Sequence, residues 1–478
     1  MTSLTEKKQY NSFDNEKIKC KELNGQLKEL TIEEVINLCG FGKFQWRLSL
    51  FAGLAWIADS MEIMILAILG PILICEWNIS NFKVALVTTC VFLGFLIGSP
   101  VIGICADKFG RKSALLLSAS IAFYYGSLTS VAPLFIWLLI LRFIVGIGVS
   151  GTPQAITYYS EFLPSNSRGR SIMLIQFFFA FGAVFEVVLG FLIIPSAGWR
   201  WWIVTSCLPL GIFILITGFL PESPRYDLAS GNVIAAKKTL DYIAEVNGID
   251  MPLYKLKSKQ TEGRGDVKEL FSKQHRISSL LLFCIWFGCG FLYYGISLLA
   301  TELVKEGQTC ISGAKLKTLC ECKPLKTEDY LDLMLTTAAE LPGLLMMIIV
   351  IDKIGRKFSI LASFTTSAAA LYLLLICMSR YPMVTLLFIA RAFISAGFQV
   401  VYVYTPEYYP TNCRAVGLGT CSAFARLGAL ITPFVAQVLL QSSHYLAFGL
   451  YATVALIIAG CAIILPVETK GRALENNN

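Results

Sequence analysis

The stretch Asp107-Lys108-Phe109-Gly110-Arg111-Lys112 returns 245 residues later as Asp352-Lys353-Ile354-Gly355-Arg356-Lys357. Each copy closes an apolar run, and two further pairs keep nearly the same interval. Glu161, Pro164 and Arg168 recur as Glu407, Pro410 and Arg414, and Pro221-Glu222-Ser223-Pro224-Arg225 recurs as Pro466-Val467-Glu468-Thr469-Lys470-Gly471-Arg472, each 246 residues on at the glutamate. Three matches at one offset mean that a six-helix unit has been duplicated.

Outward from these loops, 55% of the 478 residues are apolar and 15% charged, against about 45–50% and about 25% in soluble domains. A soluble globule does not fit. A bilayer core of about 30 Å takes roughly 20 apolar residues per helix, and such runs are read at 48–74, 83–105, 113–131, 134–159, 171–194, 200–220, 277–300, 331–351, 358–378, 383–406, 414–440 and 443–466. The expected fold is an all-α membrane protein with 12 transmembrane helices in two six-helix bundles, a 6+6 repeat around a central cavity. A polar N-terminal tail (1–47), an N-terminal bundle (48–220), a linker with an amphipathic helix (221–276), a C-terminal bundle (277–466) and a second tail (467–478) follow from the runs. The first tail holds no apolar run, so no signal peptide is expected. Two histidines, no Cys/His cluster at ligand spacing and no Gly-rich loop between strand and helix predict no metal, no cofactor and no enzyme.

Lys and Arg set the orientation. With a cytosolic N-terminus, 29 of them fall in tails and loops on that side and 8 on the other, while Arg142, Arg391 and Arg426 lie within spans. Both termini and the linker are therefore expected in the cytosol. Topology accounts for the basic residues, and nucleic acid is not implied. On the opposite face, Asn78-Ile79-Ser80 makes Asn78 a glycosylation candidate. The loop 301–330 places Cys310, Cys320 and Cys322 in an oxidising compartment, where Cys310 can join Cys320 or Cys322; a zinc site would lack a fourth ligand. Cys90, Cys105, Cys284, Cys289 and Cys461 read as small buried hydrophobes.

The repeated loops, boxes and endings resemble the major facilitator superfamily, nearest its sugar-porter and organic-ion branches, over roughly residues 45–472. Finer stretches are similar to the synaptic vesicle 2-related family: Asp59-Ser60-Met61-Glu62-Ile63-Met64-Ile65-Leu66, Cys75-Glu76-Trp77, Val84-Ala85-Leu86-Val87-Thr88, Phe185-Glu186-Val187-Val188 and Gly198-Trp199-Arg200-Trp201. The resemblance implies transport of a small organic ion by alternating access, in the plasma membrane or an intracellular, synaptic-type vesicle membrane. One departure is Ile348 in the second half where the first has Gly103.

Gly103, Asp107, Gly110 and Arg111, with Asp352, Gly355 and Arg356, read as a latch: an acid at a helix end, a glycine turn, and a planar donor for acidic ends of neighbouring helices. A topology signal would need no Asp in each copy. Glu161 with Arg168, and Glu407 with Arg414, are expected as pairs that break and re-form as the bundles rock.

Asp59 and Glu62 lie mid-span, and their spacing puts both carboxylates on one helical face. A charge at bilayer depth costs at least about 2.5–3.5 kcal/mol, so such residues are read as functional, with a static pair to Arg142 as the bland alternative. Arg142 opens Arg142-Phe143-Ile144-Val145-Gly146-Ile147-Gly148. In similar sugar porters an acid of the first helix and this arginine couple substrate movement to proton binding, so the resemblance gives Asp59 and Arg142 those roles. Glu186 reads as a cation-site wall or a neutral acid. Glu340 and Arg426 are candidates to pair across the cavity, and Arg391 reads as the repeat's structural arginine. Among aromatics (Trp56, Tyr124, Tyr158, Tyr159, Tyr293, Tyr294, Tyr402, Tyr404), Tyr293 and Tyr294 are the expected cavity wall.

In the linker, Lys237, Lys238, Asp241 and Glu245 form the polar side of a helix over 232–246. Solvated charge is the expected role of Lys255, Lys257, Lys259 and Arg264, ahead of contact with anionic headgroups. The expected function is secondary active transport of a small organic ion coupled to a proton or other ion, by a monomer in the lipid bilayer. The alternative is a non-transporting vesicle protein that keeps the fold as a binding partner or regulator.

Overall fold

The computed structural model describes residues 28–257, 267–307, 324–376, 378–410 and 413–470. A strand β1 (Lys28–Leu30) and helix α1 (Ile32–Cys39) precede α2 (Lys43–Trp77), α3 (Asn81–Phe109), α4 (Arg111–Thr129), α5 (Phe135–Ser160), α6 (Ser165–Ala197) and α7 (Trp199–Thr217). The linker forms α8 (Pro224–Ala229), α9 (Val233–Asn247) and strand β2 (Tyr254–Leu256). The second half repeats the pattern: α10 (Arg276–Glu306), α11 (Thr327–Ile354), α12 (Arg356–Leu373), α13 (Arg380–Tyr408), α14 (Val416–Ser442) and α15 (His444–Ile464).

Among the described residues 10 helices are long and apolar enough to cross a membrane: α2, α3, α5, α6, α7, α10, α11, α13, α14 and α15. The two other helices of the halves, α4 and α12, are repeat equivalents and hydroxyl-rich. Several of their hydroxyls bond back along the helix, as Thr129 does to Tyr125 O at 2.9 Å and Ser367 to Ser363 O at 2.8 Å. The linker helix starts at an Asn232 cap and keeps Ala236, Leu240 and Ile243 buried.

Helices α2 and α10 are innermost, with 78% of their apolar windows buried. Apolar helices gain little from association in lipid beyond packing, so close approach is bought with small residues. A Cβ on Gly94 would lie 2.0 Å from Phe143 O and one on Gly146 would lie 2.1 Å from Val91 O, so α3 and α5 cross with backbones in contact. Gly290 and Gly428 do the same for α10 and α14, each 2.1 Å from a carbonyl oxygen of the other helix. Helix α14 then passes through a π-helical turn, Phe434–Leu439, directly after Pro433, where the lost N–H shifts the ladder.

The halves meet largely at the end remote from the repeated loops. Asn81 donates to Gln441, Phe82 packs on Phe434 at 5.8 Å, and Phe191 packs on Tyr330 at 5.9 Å. Nearer the repeated loops, Gln399 donates to Gln176 at 3.2 Å.

At that loop end β1 pairs in parallel with β2, and α1, opened by a Thr31–Glu34 capping box, buries Ile32, Val35, Ile36 and Cys39. Asn247 ties the corner: its Nδ2 donates to Cys39 O at 3.1 Å and its Oδ1 accepts from Phe44 N at 3.0 Å.

Candidate functional site

Within the first half, Asp59 and Glu62 of α2 and Arg142 of α5 are buried. Arg142 sits where it does because the glycines after it let α5 press against its neighbours; a Cβ on Gly148 would stand 2.5 Å from Ala122 N on α4. Arg142 Nη1 donates to Glu62 Oε1 at 2.5 Å, while its Nε and Nη2 have no hydrogen-bond partner among the described residues. The expected Asp59–Arg142 pair is therefore replaced by Glu62–Arg142. Three residues turn a helix by about 300°, so two acids on one broad face still diverge by about 60°, and Glu62 is the one directed at α5. Asp59 interacts electrostatically with Arg426 of the other half.

Beside the pair stands Glu186 of α6, fully buried, whose Oε1 accepts from Ser206 Oγ at 2.7 Å and whose Oε2 has no partner among the described residues. A small cavity of about 30 Å³ is lined by Asp59, Glu62, Ser118, Thr152, Ser206 and Cys207 among others, and so touches Glu62 and the serine that bonds Glu186. It has room for one or two waters.

Between the halves, Glu340 does not pair with Arg426. It is held by Arg391, Nε to Oε1 at 3.0 Å, and accepts from Tyr293 Oη at 3.0 Å and Ser395 Oγ at 3.5 Å. Arg391 is thus Glu340's partner, and it also reaches across to Met64 Sδ at 3.5 Å. Arg426 donates to Tyr294 Oη at 2.8 Å and lies 3.6 Å above the Phe95 ring. Tyr293 and Tyr294 are buried among aromatic rings: Phe179, packed on Trp56, faces Tyr293 at 6.0 Å, and Phe92 faces Tyr294 at 4.8 Å. Tyr158 and Tyr404 instead serve as ties, donating to Pro221 O at 2.6 Å and Val467 O at 2.7 Å, and Tyr124 is exposed.

The repeated loops build one network twice. Glu222 accepts Lys112 N at 3.1 Å as Glu468 accepts Lys357 N at 2.9 Å. Lys112 Nζ donates to Leu220 O and Lys357 Nζ to Leu465 O, both at 2.7 Å. Arg111 pairs with Asp107 at 2.8 Å and stands 3.4 Å from Glu161, which accepts from Ser223; Arg356 pairs with Asp352 at 3.1 Å and with Glu407 at 3.1 Å, and Glu407 accepts from Thr469 at 2.6 Å. The expected Glu161–Arg168 and Glu407–Arg414 pairs are not the ones formed. Arg168 turns to Glu33 at 3.3 Å and Arg414 to Tyr409 O at 3.3 Å, because the Arg of each loop reaches the glutamate first. Gly110 and Gly355 hold φ of +102° and +90°, the left-handed region that side chains resist. Gly103 needs no such freedom: a Cβ there would meet only Gln154 at 4.0 Å.

At the remote end Asn78 is exposed and closes α2 with φ of 50°. Cys310, Cys320 and Cys322 lie outside the described residues, as do Lys259 and Arg264. Cys75 is disulfide-bonded, a bond that sequence reading missed, whereas Cys90, Cys105, Cys284, Cys289 and Cys461 are free. Glu76 beside it accepts from Trp199 Nε1 and from Arg200 at 2.6 Å.

The family described as "Sugar (and other) transporter" matches residues 2–314, and "Major Facilitator Superfamily" matches 331–477. Synaptic vesicle 2-related protein from Xenopus laevis is 48% identical over 94% of this chain and 82% of its own length, as is that from Rattus norvegicus. Among solved structures, the xylose transporter of E. coli in a partially occluded inward-open conformation aligns with a TM-score of 0.71 at 19% identity, over 90% of this chain and 99% of that one. At that identity the likeness is one of fold.

Proposed function

Because this chain belongs to the major facilitator superfamily, a family of membrane transport proteins and not of enzymes, among the relatives of synaptic vesicle 2-related protein, we propose that it is a secondary active transporter that moves a small organic ion by alternating access and couples the movement to protons. The observation that carries this is the buried Glu62–Arg142 pair with two unsatisfied nitrogens on the arginine, beside a small cavity that Asp59 and Glu62 line. A pair kept only for stability would satisfy its donors; leaving them unpaired costs about 1–3 kcal/mol each. Glu186 lies within the electrostatic reach of Arg142. When Glu62 takes a proton, Arg142 is freed to turn to Glu186, and the two arrangements bias two states of the bundle. One solved relative in fold is a D-xylose-proton symporter, which names proton coupling for that protein.

In this reading α4 and α12 are the third and ninth of twelve spans, since hydroxyls bonded to their own helix can be carried into lipid. The lysine and arginine excess supports an orientation with the repeated loops, the linker and both termini in the cytosol, in which the halves here are closed at the lumenal or outer end. A vesicle membrane suits the named relatives, and the chain works as a monomer. The repeated Arg111–Glu161 and Arg356–Glu407 networks hold each cytosolic loop to its own half and act as gating contacts.

Proteoliposomes with an imposed pH gradient test the proposal. Glu62→Gln should abolish gradient-driven accumulation and keep solute exchange, because a neutral residue can rock without carrying a proton. Accumulation by Glu62→Gln equal to the unmodified protein would remove the coupling role.

A further inference from the structure

We propose that the substrate is a flat aryl carboxylate bearing a second hydrogen-bond acceptor at its opposite end, held across the interface between Arg391 and Trp56. This rests on the transporter reading only in placing the substrate between the halves.

Two buried donors at that interface have no partner among the described residues: Arg391 Nη1 and Trp56 Nε1. Arg391 is 1% exposed and Trp56 9%, so solvent does not satisfy them. Glu340 occupies only the Nε side of the guanidinium, and Nη2 rests on the Met64 sulfur at 3.5 Å, a weak acceptor. The Nη1–Nη2 edge is therefore the part of the fork left for a planar, two-oxygen partner, which is what a carboxylate presents.

Trp56 lies eight residues before Met64 on α2, a separation of about 12 Å along the helix. Between them the wall is aromatic: Trp56 packs on Phe179 at 5.4 Å and Phe179 on Tyr293 at 6.0 Å. A rigid ring system spans that distance at little entropic cost, with its carboxylate on Arg391 and its distal acceptor on Trp56.

The same inventory argues against a polyol. Each sugar hydroxyl needs acceptors as well as donors, yet both Glu340 oxygens are engaged and Gln176 and Gln399 bond each other. A quaternary cation fits no better there, because the unpaired groups of Arg391 and Trp56 are donors. The charges facing the interface, Asp59 and Glu340 against Arg391 and Arg426, sum to zero, so a monoanion travelling with the one coupling proton is a neutral load.

The test uses the purified full chain with para-coumarate, D-glucose and tetraethylammonium as probes, read by thermal unfolding and tryptophan fluorescence. Para-coumarate should raise the midpoint and quench; the other two should do neither. Trp56→Phe keeps the ring and removes the N–H, and should weaken para-coumarate binding about tenfold. Arg391→Gln combined with Glu340→Gln keeps the site neutral and foldable, and should weaken it about a hundredfold. Absence of binding, or equal binding by both variants, overturns the proposal. Accumulation of D-glucose or tetraethylammonium by proteoliposomes without para-coumarate binding would overturn it while leaving the transporter reading intact. Variant-sensitive para-coumarate binding with no uptake under any gradient would sustain the ligand assignment and remove transport.

Discussion

Arg142 on α5 donates to Glu62 on α2 at 2.5 Å and keeps two N–H groups without an acceptor among the described residues. Removing one member of such a buried pair leaves the other charge uncompensated, whereas neutralising both leaves ordinary polar groups. The pair is thus a place where single and double substitutions should diverge.

Arg142→Gln should lower unfolding stability by about 3–5 kcal/mol, and Arg142→Gln with Glu62→Gln should recover most of that loss. Thermal unfolding of the purified proteins in matched detergent measures it. A double variant no more stable than Arg142→Gln would mean that the packing of the side chains, and not their charge, is what the site depends on.

Gly103 within α3 and Gly110 at its end separate just as cleanly. Gly110 holds φ of +102° and a Cβ there would stand 2.4 Å from Glu222 Oε2, the acceptor that caps the start of α4. Gly110→Ala should cost about 1–3 kcal/mol through strain and the displaced cap, while Gly103→Ala, which meets only Gln154 at 4.0 Å, should be nearly neutral. Unfolding midpoints of the two variants decide this, and a larger loss at Gly103 would contradict the arrangement described.

Much of this architecture was legible because duplication makes a weak signal count twice. The matched loops place Arg111 against Arg356 and Glu222 against Glu468, and the structure repeats their bonds almost atom for atom. Partner choice was not legible. Residue spacing cannot say which of two acids offset by about 60° on a helix meets Arg142, nor that Glu340 is claimed by Arg391 before Arg426 can reach it. These depend on the backbone contacts at Gly94, Gly146 and Gly148, which fix how far one helix is rotated against the next. The Cys75 disulfide was hidden for a related reason: a cysteine at the end of an apolar run looks the same whether it is packed or bonded.

At the second loop, charge and exposure rank the acids. Asp352 is 78% exposed although paired with Arg356, whereas Glu407 is 26% exposed and accepts from Arg356 Nε, Arg356 Nη2 and Thr469. Asp352→Asn should change stability by no more than about 0.5 kcal/mol, and Glu407→Gln should cost about 1–3 kcal/mol by leaving Arg356 half-satisfied. If both variants unfold at the wild-type midpoint, the loop network is only a topology signal.

The segment β1–α1 offers a test by pH. Cys39 is buried where α1 meets the linker, and burial, followed by the negative charge of Asp241, pushes its thiol from the ordinary 9.0 up to about 11. The folded segment therefore keeps a proton that the released segment gives up between those values. Its docking is fully supported below pH about 9 and weakens as pH rises towards 11, because ionising Cys39 in place would set a thiolate beside Asp241. At neutral pH the thiol should react with maleimide far more slowly than an unstructured cysteine, since both the thiolate fraction and access are low. Protection from hydrogen exchange at Val35 and Ile36, taken relative to the intrinsic base-catalysed rate at each pH, should fall over the same rise in pH, and Cys39→Ser, which does not ionise there, should keep it constant. Rapid maleimide labelling at neutral pH, or protection that falls equally in Cys39→Ser, would show that α1 is not held against the linker by this buried contact.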